Sequence, residues 1–165
     1  MTQKAIFFDR DGVLNREIGN YVCTISDFDI LPDAVDCIRM VRDKGFLAIV
    51  ITNQGGIDKK LYSREDLHTF HQKLQQACVE KGTRIDDFYF CPHHPLVGKC
   101  LCRKPDSGML EKALSKYRID RSKSLMIGDT ERDMQAAEKA GIKSLLVQPN
   151  SLKYRLLEEE INNLI

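Results

Sequence analysis

Five apolar or β-branched runs, each of strand length, punctuate this sequence at Ala5–Phe8, Leu47–Thr52, Phe88–Cys91, Ser124–Ile127 and Ser144–Val147. Between them lie segments with helical spacing: Asp33–Lys44, with Val35, Ile38 and Val41 on one side, then Arg64–Lys81, Gly108–Tyr117 and Arg132–Ala140. Gly45, Gly82 and Gly141 follow three of these, where a helix is expected to stop. Strands alternating with helices predict right-handed βαβ units, and hence an α/β fold with a doubly wound parallel sheet covered on both faces. The 165 residues, 42% of them hydrophobic, suffice for one domain spanning 1–165. Ser151–Ile165 reads as a closing amphipathic helix.

A net charge of +1, with acids and bases interspersed, creates no field that would gather nucleic acid or an anionic membrane. The expected partner is a small molecule, and the expected state a monomer. The first strand begins within a few residues of Met1, which leaves no signal-peptide pattern, and no apolar run is long enough to span a bilayer. Those features predict a cytoplasmic protein. In that reducing compartment six cysteines are not expected to form a disulfide framework, so clustered ones point to a metal or a reaction.

The stretch AIFFDRDGVLN drives its apolar strand straight into Asp9 and Asp11. Two carboxylates so close repel, and burying them is costly unless a cation or a chemical task compensates. Ligands of such sheets bind beyond the carboxyl ends of the strands. There the sequence also places Thr52 and Asn53, Lys104 of CRKP, and Asp129 and Asp133 of GDTERD. Converging carboxylates call for a hard divalent cation, and Mg2+ prefers a few carboxylates together with water and phosphate. The lysine suits a phosphoryl charge and the threonine hydroxyl an equatorial oxygen. One of Asp9 and Asp11 could attack phosphorus while the other serves as acid and base.

In order, FDRDGVL, the T-N pair, the lysine of CRKP and GDTERD resemble the four motifs of the haloacid-dehalogenase-like phosphatases. The resemblance implies that Asp9 is the nucleophile and a Mg2+ ligand, and that Asp11 is the general acid/base, binding the metal through its main-chain carbonyl. It implies further that Thr52, Asn53 and Lys104 hold the phosphoryl group and that Asp129 completes the Mg2+ site. Asp133 either orients the site or is a first-turn helix acid, which is favoured there in any case. A phosphoacceptor or phosphate-sensing module is the rival from another class, and Asp11 is what such a module does not need.

CPHHPLVGKCLC crowds Cys91, His93, His94, Cys100 and Cys102 into twelve residues. In extended chain, positions two apart face the same way, so Cys91 can join His93, and Cys100 can join Cys102, around a closed structural Zn2+. Cys23, Cys37 and Cys78 are read as small core residues, and His68 and His71 as packing or surface residues. A zinc loop immediately before RKP resembles the branch of the family that holds the heptose 1,7-bisphosphate and histidinol-phosphate phosphatases. That branch has no cap domain, and Asn15–Leu31 is too short to form one. Specificity would then lie in three loops, Arg16–Phe28, Gly55–Ser63 and the zinc loop. The implied activity is release of the 7-phosphate of the heptose bisphosphate through an aspartyl-phosphate, with histidinol phosphate as the alternative substrate. Arg103, next to Lys104, is the favoured contact to substrate. Lys59 and Lys60 of NQGGIDKK, where the heptose enzymes resemble NQSGIARG, either reach a distal phosphate or are solvated.

Overall fold

The computed structural model describes residues 2–164. Among them β1 (Ala5–Phe8), β2 (Leu47–Asn53), β3 (Asp87–Cys91), β4 (Leu125–Gly128) and β5 (Lys143–Leu146) form one sheet in the order β3-β2-β1-β4-β5. Every neighbouring pair is parallel. The helices are α1 (Ala34–Asp43), α2 (Arg64–Glu80), α3 (Gly108–Tyr117), α4 (Glu131–Lys139) and α5 (Tyr154–Asn162). Predicted and observed elements agree to within a few residues. Ile165, the predicted end of the closing helix, lies outside the described residues.

The central strands are apolar without interruption because each face meets a layer of helices. Ile6 and Phe8 of β1, Ala48 and Val50 of β2, and Leu125 and Ile127 of β4 pack with the buried side chains of α1, α2 and α5. The alternate residues Ala5, Phe7, Ile49, Ile51 and Met126 pack with those of α3 and α4. Covering on both faces fails at β5, an edge strand whose Leu146 is 52% exposed. Gly45, Gly82 and Gly141 all take positive φ. Ser63 and Asp66 close a reciprocal capping box on α2, Oγ of Ser63 accepting from the Asp66 amide at 3.0 Å and Asp66 Oδ2 accepting from the Ser63 amide at 2.8 Å. The segment 15–31 contains no helix, so no cap is built there.

His71 belongs to the packing. Its ring stacks on Phe88 with centroids 4.5 Å apart, its Nε2 has no partner, and it is 7% exposed. Burial, helped by the positive charge of Arg10, pulls its pKa down to about 3. The unfolded chain therefore takes up a proton that the native one refuses. Stability from this residue is complete above the unfolded value near 6.5 and drains away as pH falls toward 3, a loss of about 2 kcal/mol by pH 5. Urea unfolding of wild type and His71→Leu at pH 7.5 and pH 5 should show the gap between them shifting by that amount in favour of the variant. Parallel stability curves would mean that His71 titrates alike in both states.

Candidate active site

The strand ends of β1, β2 and β4 converge on a cleft of about 540 Å³. Asp9, Asp11, Asn53, Arg103, Lys104 and Asp129 all line it. So do Glu17–Val22 from the first predicted specificity loop, apart from Ile18, and Gly55 and Tyr62 from the second. Thr52 lies just beneath the lining, fully buried, where its Oγ1 accepts from Gln54 Nε2 at 3.0 Å.

Lys104 is the hub. Its Nζ lies 2.9 Å from Asp9 Oδ1 and 2.6 Å from Asp133 Oδ1, and donates to the Ile51 carbonyl at 2.8 Å. Its main chain is equally fixed: the Lys104 amide donates to Asn53 Oδ1 at 3.0 Å, and Asn53 Nδ2 donates to the Lys104 carbonyl at 3.0 Å. Both ends of the Asn53 carboxamide thus hold Lys104, with one Nδ2 hydrogen and one Oδ1 lone pair outside these two bonds. Asp133, whose role the sequence left open, does two jobs. Besides holding Lys104, its Oδ2 accepts from the amide and hydroxyl of Thr130 at 3.1 and 2.8 Å, fixing the start of α4. Gly128 makes room for it, since a Cβ there would run into the Asp133 side chain.

Ligand oxygens of Asp9, Asp129 and Asp133 lie within 4.8 Å of one another. Burial pushes the Asp9 carboxyl well above the usual range; Lys104 opposes that rise and Asp133 adds to it. Burial, with the charge of Asp133, also lifts Asp129 to about 6. Fully ionised, three carboxylates against one ammonium would carry two negative charges in excess, which is why Asp9 and Asp129 hold on to protons and what a divalent cation would offset. Gly12, at φ +82°, lets the backbone pass against Asp129, where a Cβ would collide with Oδ2. The donor set and the room fit Mg2+.

Asp11 faces the same cleft but a different set of partners, because the chain turns at Arg10, whose carbonyl accepts from the amides of Val13, Leu14 and Asn15. Its carboxylate accepts from Arg10 Nη2 at 2.8 and 3.1 Å, Asn15 Nδ2 at 2.9 Å and Gln54 Nε2 at 2.8 Å. Gln54 is held in turn by Tyr62, whose hydroxyl donates to Oε1 at 2.5 Å. Burial would raise the Asp11 pKa, but Arg10, Asn15 and Gln54 bring it below the ordinary value. With its side chain so engaged, Asp11 is left with its main-chain carbonyl to offer a metal. Arg10 itself is 1% exposed and lies over the rings of Phe28 and Phe70, at 5.3 and 5.9 Å.

Cys91, His93, Cys100 and Cys102 come together as the sequence predicts. Cys91 Sγ is 3.4 Å from His93 Nδ1, 3.5 Å from Cys100 Sγ and 2.8 Å from Cys102 Sγ. Cys102 Sγ lies 3.2 Å from His93 Nδ1 and 3.6 Å from Cys100 Sγ. A tetrahedral zinc with bonds of about 2.1–2.3 Å sets its ligand atoms about 3.5–3.8 Å apart, so the four ligands suit that ion in kind and number and stand contracted about its place, most of all at the Cys91–Cys102 pair. Arg103 Nη1 donates to the His93 carbonyl at 3.0 Å, which ties the cleft-lining arginine to this loop. Lys59 and Lys60 do not line the cleft; Lys59 Nζ lies 5.2 Å from the Tyr21 ring centroid.

Sequence reasoning missed Arg10, Asn15, Gln54 and Tyr62 as the groups that hold Asp11, directly or through one another. Nor did it point to Asn150, which ties the end of the sheet to the catalytic loop. In a positive-φ conformation, Asn150 donates its amide to the Gly12 carbonyl at 2.8 Å. Its Nδ2 donates to the Glu17 carbonyl at 3.0 Å, and its Oδ1 accepts from the Glu17 amide at 2.7 Å.

Comparison with known proteins agrees with this geometry. A family model described as HAD-hydrolase-like matches residues 101–162. A D-glycero-alpha-D-manno-heptose-1,7-bisphosphate 7-phosphatase of Photorhabdus laumondii is 40% identical over 145 residues, covering 84% of this chain and 79% of its own. The D-glycero-beta-D-manno-heptose-1,7-bisphosphate 7-phosphatase of Haemophilus ducreyi is 37% identical over 150 residues, covering 87% and 82%. Among solved structures, D,D-heptose 1,7-bisphosphate phosphatase from B. bronchiseptica, complexed with magnesium and phosphate, aligns with a TM-score of 0.84 at 31% identity, over 96% of this chain and 87% of that one. With its strand-end carboxylates, its buried lysine and these relatives, the chain belongs to the haloacid-dehalogenase-like hydrolase family.

Proposed function

We propose that this chain is a Mg2+-dependent phosphomonoesterase that releases the 7-phosphate of D-glycero-D-manno-heptose 1,7-bisphosphate through an aspartyl-phosphate on Asp9. The observation that carries the chemistry is the buried array of Asp9, Lys104 and Asp133 with Asp129 beside it. The names of the relatives support the substrate. An Asp9 oxygen attacks phosphorus as the bond to the sugar oxygen breaks, and Asp11 gives that oxygen its proton. Water, relieved of a proton by Asp11, then attacks phosphorus, and inorganic phosphate leaves as Asp9 is regenerated. Lys104 and the Thr52 hydroxyl hold the equatorial oxygens, while Asn53 braces Lys104. Asp9, the Asp11 carbonyl and Asp129 would hold Mg2+, which when bound would supply charge neutralisation at the phosphoryl group. Because Asp11 rests as an anion, the arriving phosphate, a like charge beside it, favours its protonation.

Zn2+ on Cys91, His93, Cys100 and Cys102 shapes the loop and takes no part in the chemistry. One domain, acting as a monomer in the cytoplasm, is sufficient for the activity, since every group named here comes from one chain and the zinc ligands must stay reduced. Among the described residues no helix is long and apolar enough to cross a membrane.

The test is a comparison of specificity constants for both anomers of heptose 1,7-bisphosphate, histidinol phosphate and simple hexose phosphates. Relatives named for the alpha and the beta anomer resemble this chain about equally, so the anomers are compared directly. The heptose bisphosphate is expected to lead by at least about tenfold, since Arg103 at the cleft attracts a second phosphate and repels the histidinol ammonium. Histidinol phosphate in the lead would move the assignment to that activity and leave the roles of Asp9, Asp11 and Lys104 as they are.

A further inference from the structure

Three cations stand on the wall between the catalytic cleft and a second, mostly apolar groove of about 570 Å³: Arg103, Lys104 and Arg132 line both. Lys104 is neutralised by Asp9 and Asp133. Neither arginine forms an ion pair among the described residues, and the Arg103 guanidinium spends one N–H on a carbonyl. Arg132 has no structural reason for its position. It sits in the first turn of α4, between Glu131 and Asp133, where the helix dipole favours acids and opposes a cation. Its side chain is exposed and caps nothing. Two unpaired guanidiniums on one wall repel each other, and an anion between them would relieve both.

We infer that Arg132 is a specificity-determining residue that, with Arg103, binds the distal phosphate of a sugar bisphosphate whose other phosphate reacts at Asp9. The inference rests on the bisphosphatase reading above. A guanidinium suits this task, because its planar fork presents paired N–H groups to phosphate oxygens. Lys59 and Lys60, for which the sequence left a distal-phosphate contact and solvation both open, lie outside the lining, where Arg132 stands instead.

The experiment compares heptose 1,7-bisphosphate with heptose 7-phosphate, which lacks only the distal group, in wild type and in Arg132→Gln, Arg132→Glu and Arg132→Lys. The ratio of specificity constants, bisphosphate over monophosphate, should fall about tenfold in Arg132→Gln, the low end for a hydrogen bond between charged groups. The fall should appear in KM. It should be larger in Arg132→Glu and partly restored in Arg132→Lys. Folding does not confound the result, because glutamate in the first turn is the better helix residue and should leave the melting temperature equal or higher. A ratio that survives unchanged in Arg132→Gln and Arg132→Glu, with wild type preferring the bisphosphate, overturns the role of Arg132 alone. A wild-type ratio near one overturns the bisphosphatase reading and this role with it.

Discussion

Asp9→Asn protein should fold, melt at or above the wild-type temperature, and release no phosphate. Asparagine keeps an oxygen where Asp9 Oδ1 accepts from the Arg10 amide at 2.7 Å and meets Lys104 at 2.9 Å, so the local framework survives. What disappears is the nucleophile, at a cost of about a millionfold in turnover if the residue acts as nucleophiles in other hydrolases do. Stability should move the other way. Burial holds the Asp9 pKa above its unfolded value, so the native protein binds the extra proton and loses stability as pH rises from about 4 through the folded value. The neutral isostere escapes that loss, and at pH 8 without divalent metal it should be the more stable protein. Added Mg2+ should then raise the melting temperature of wild type and leave that of the variant unmoved. Measurable phosphate release above one part in a thousand of wild type, or an equal Mg2+ response in both proteins, would remove Asp9 from its assigned place.

The second large effect is expected from zinc. Residues 92–102 contain no helix or strand, and Leu96, Val97 and Leu101 are 86%, 63% and 83% exposed, so the hydrophobic core meets this loop chiefly through the zinc-site cysteines Cys100 and Cys102 themselves. Its ties outside the cluster include the His94 amide to Asp58 Oδ2 at 2.9 Å and Arg103 to the His93 carbonyl. Metal binding must then provide most of its order. Cys100→Ser should lower stability by about 4 kcal/mol, the scale of losing a metal site. In a chain of this size that is a fall of about 10 °C in melting temperature. Arg103 should lose its anchor, while Lys104, clamped by Asn53, should keep its place. KM should therefore rise more than kcat falls. Elemental analysis should find one zinc per wild-type chain. Freshly reduced wild type without zinc, or Cys100→Ser melting with wild type, would contradict this.

Most of the fold was legible because a strand covered on both faces leaves an unbroken apolar run, as in Ala5–Phe8 and Leu47–Thr52. The edge strand β5 was read as a strand, but its exposed side chains carry no mark in the sequence that separates an edge from a centre. The candidate site residues were legible for a related reason: Asp9 and Asp129 are carboxylates where apolar runs end, while Lys104 was picked out by the likeness of CRKP to a family motif. Their supports were not. The clamp of Asn53 on Lys104 joins residues 51 apart, and the Gln54 contact to Asp11 joins residues 43 apart. Side-chain hydrogen bonds of that range follow no periodicity, so the hold of Asn53 on Lys104 was not foreseen and Asp133 could equally be a helix acid.

The position of β1 also bears on the order in which the protein becomes competent during synthesis. Of the five strands, the one that leads into Asp9 precedes the other four in the chain, yet it is the middle of the sheet, and its second neighbour, β4, starts at Leu125. The loop that follows β1 is tied down by Asn150, 133 residues beyond Glu17. On the ribosome Asp9 and Asp11 therefore precede the partners that place them, and the strand-end cleft closes only after β4 and Asn150 have been made. Contacts that span such separations carry a large loop-closure cost and slow folding.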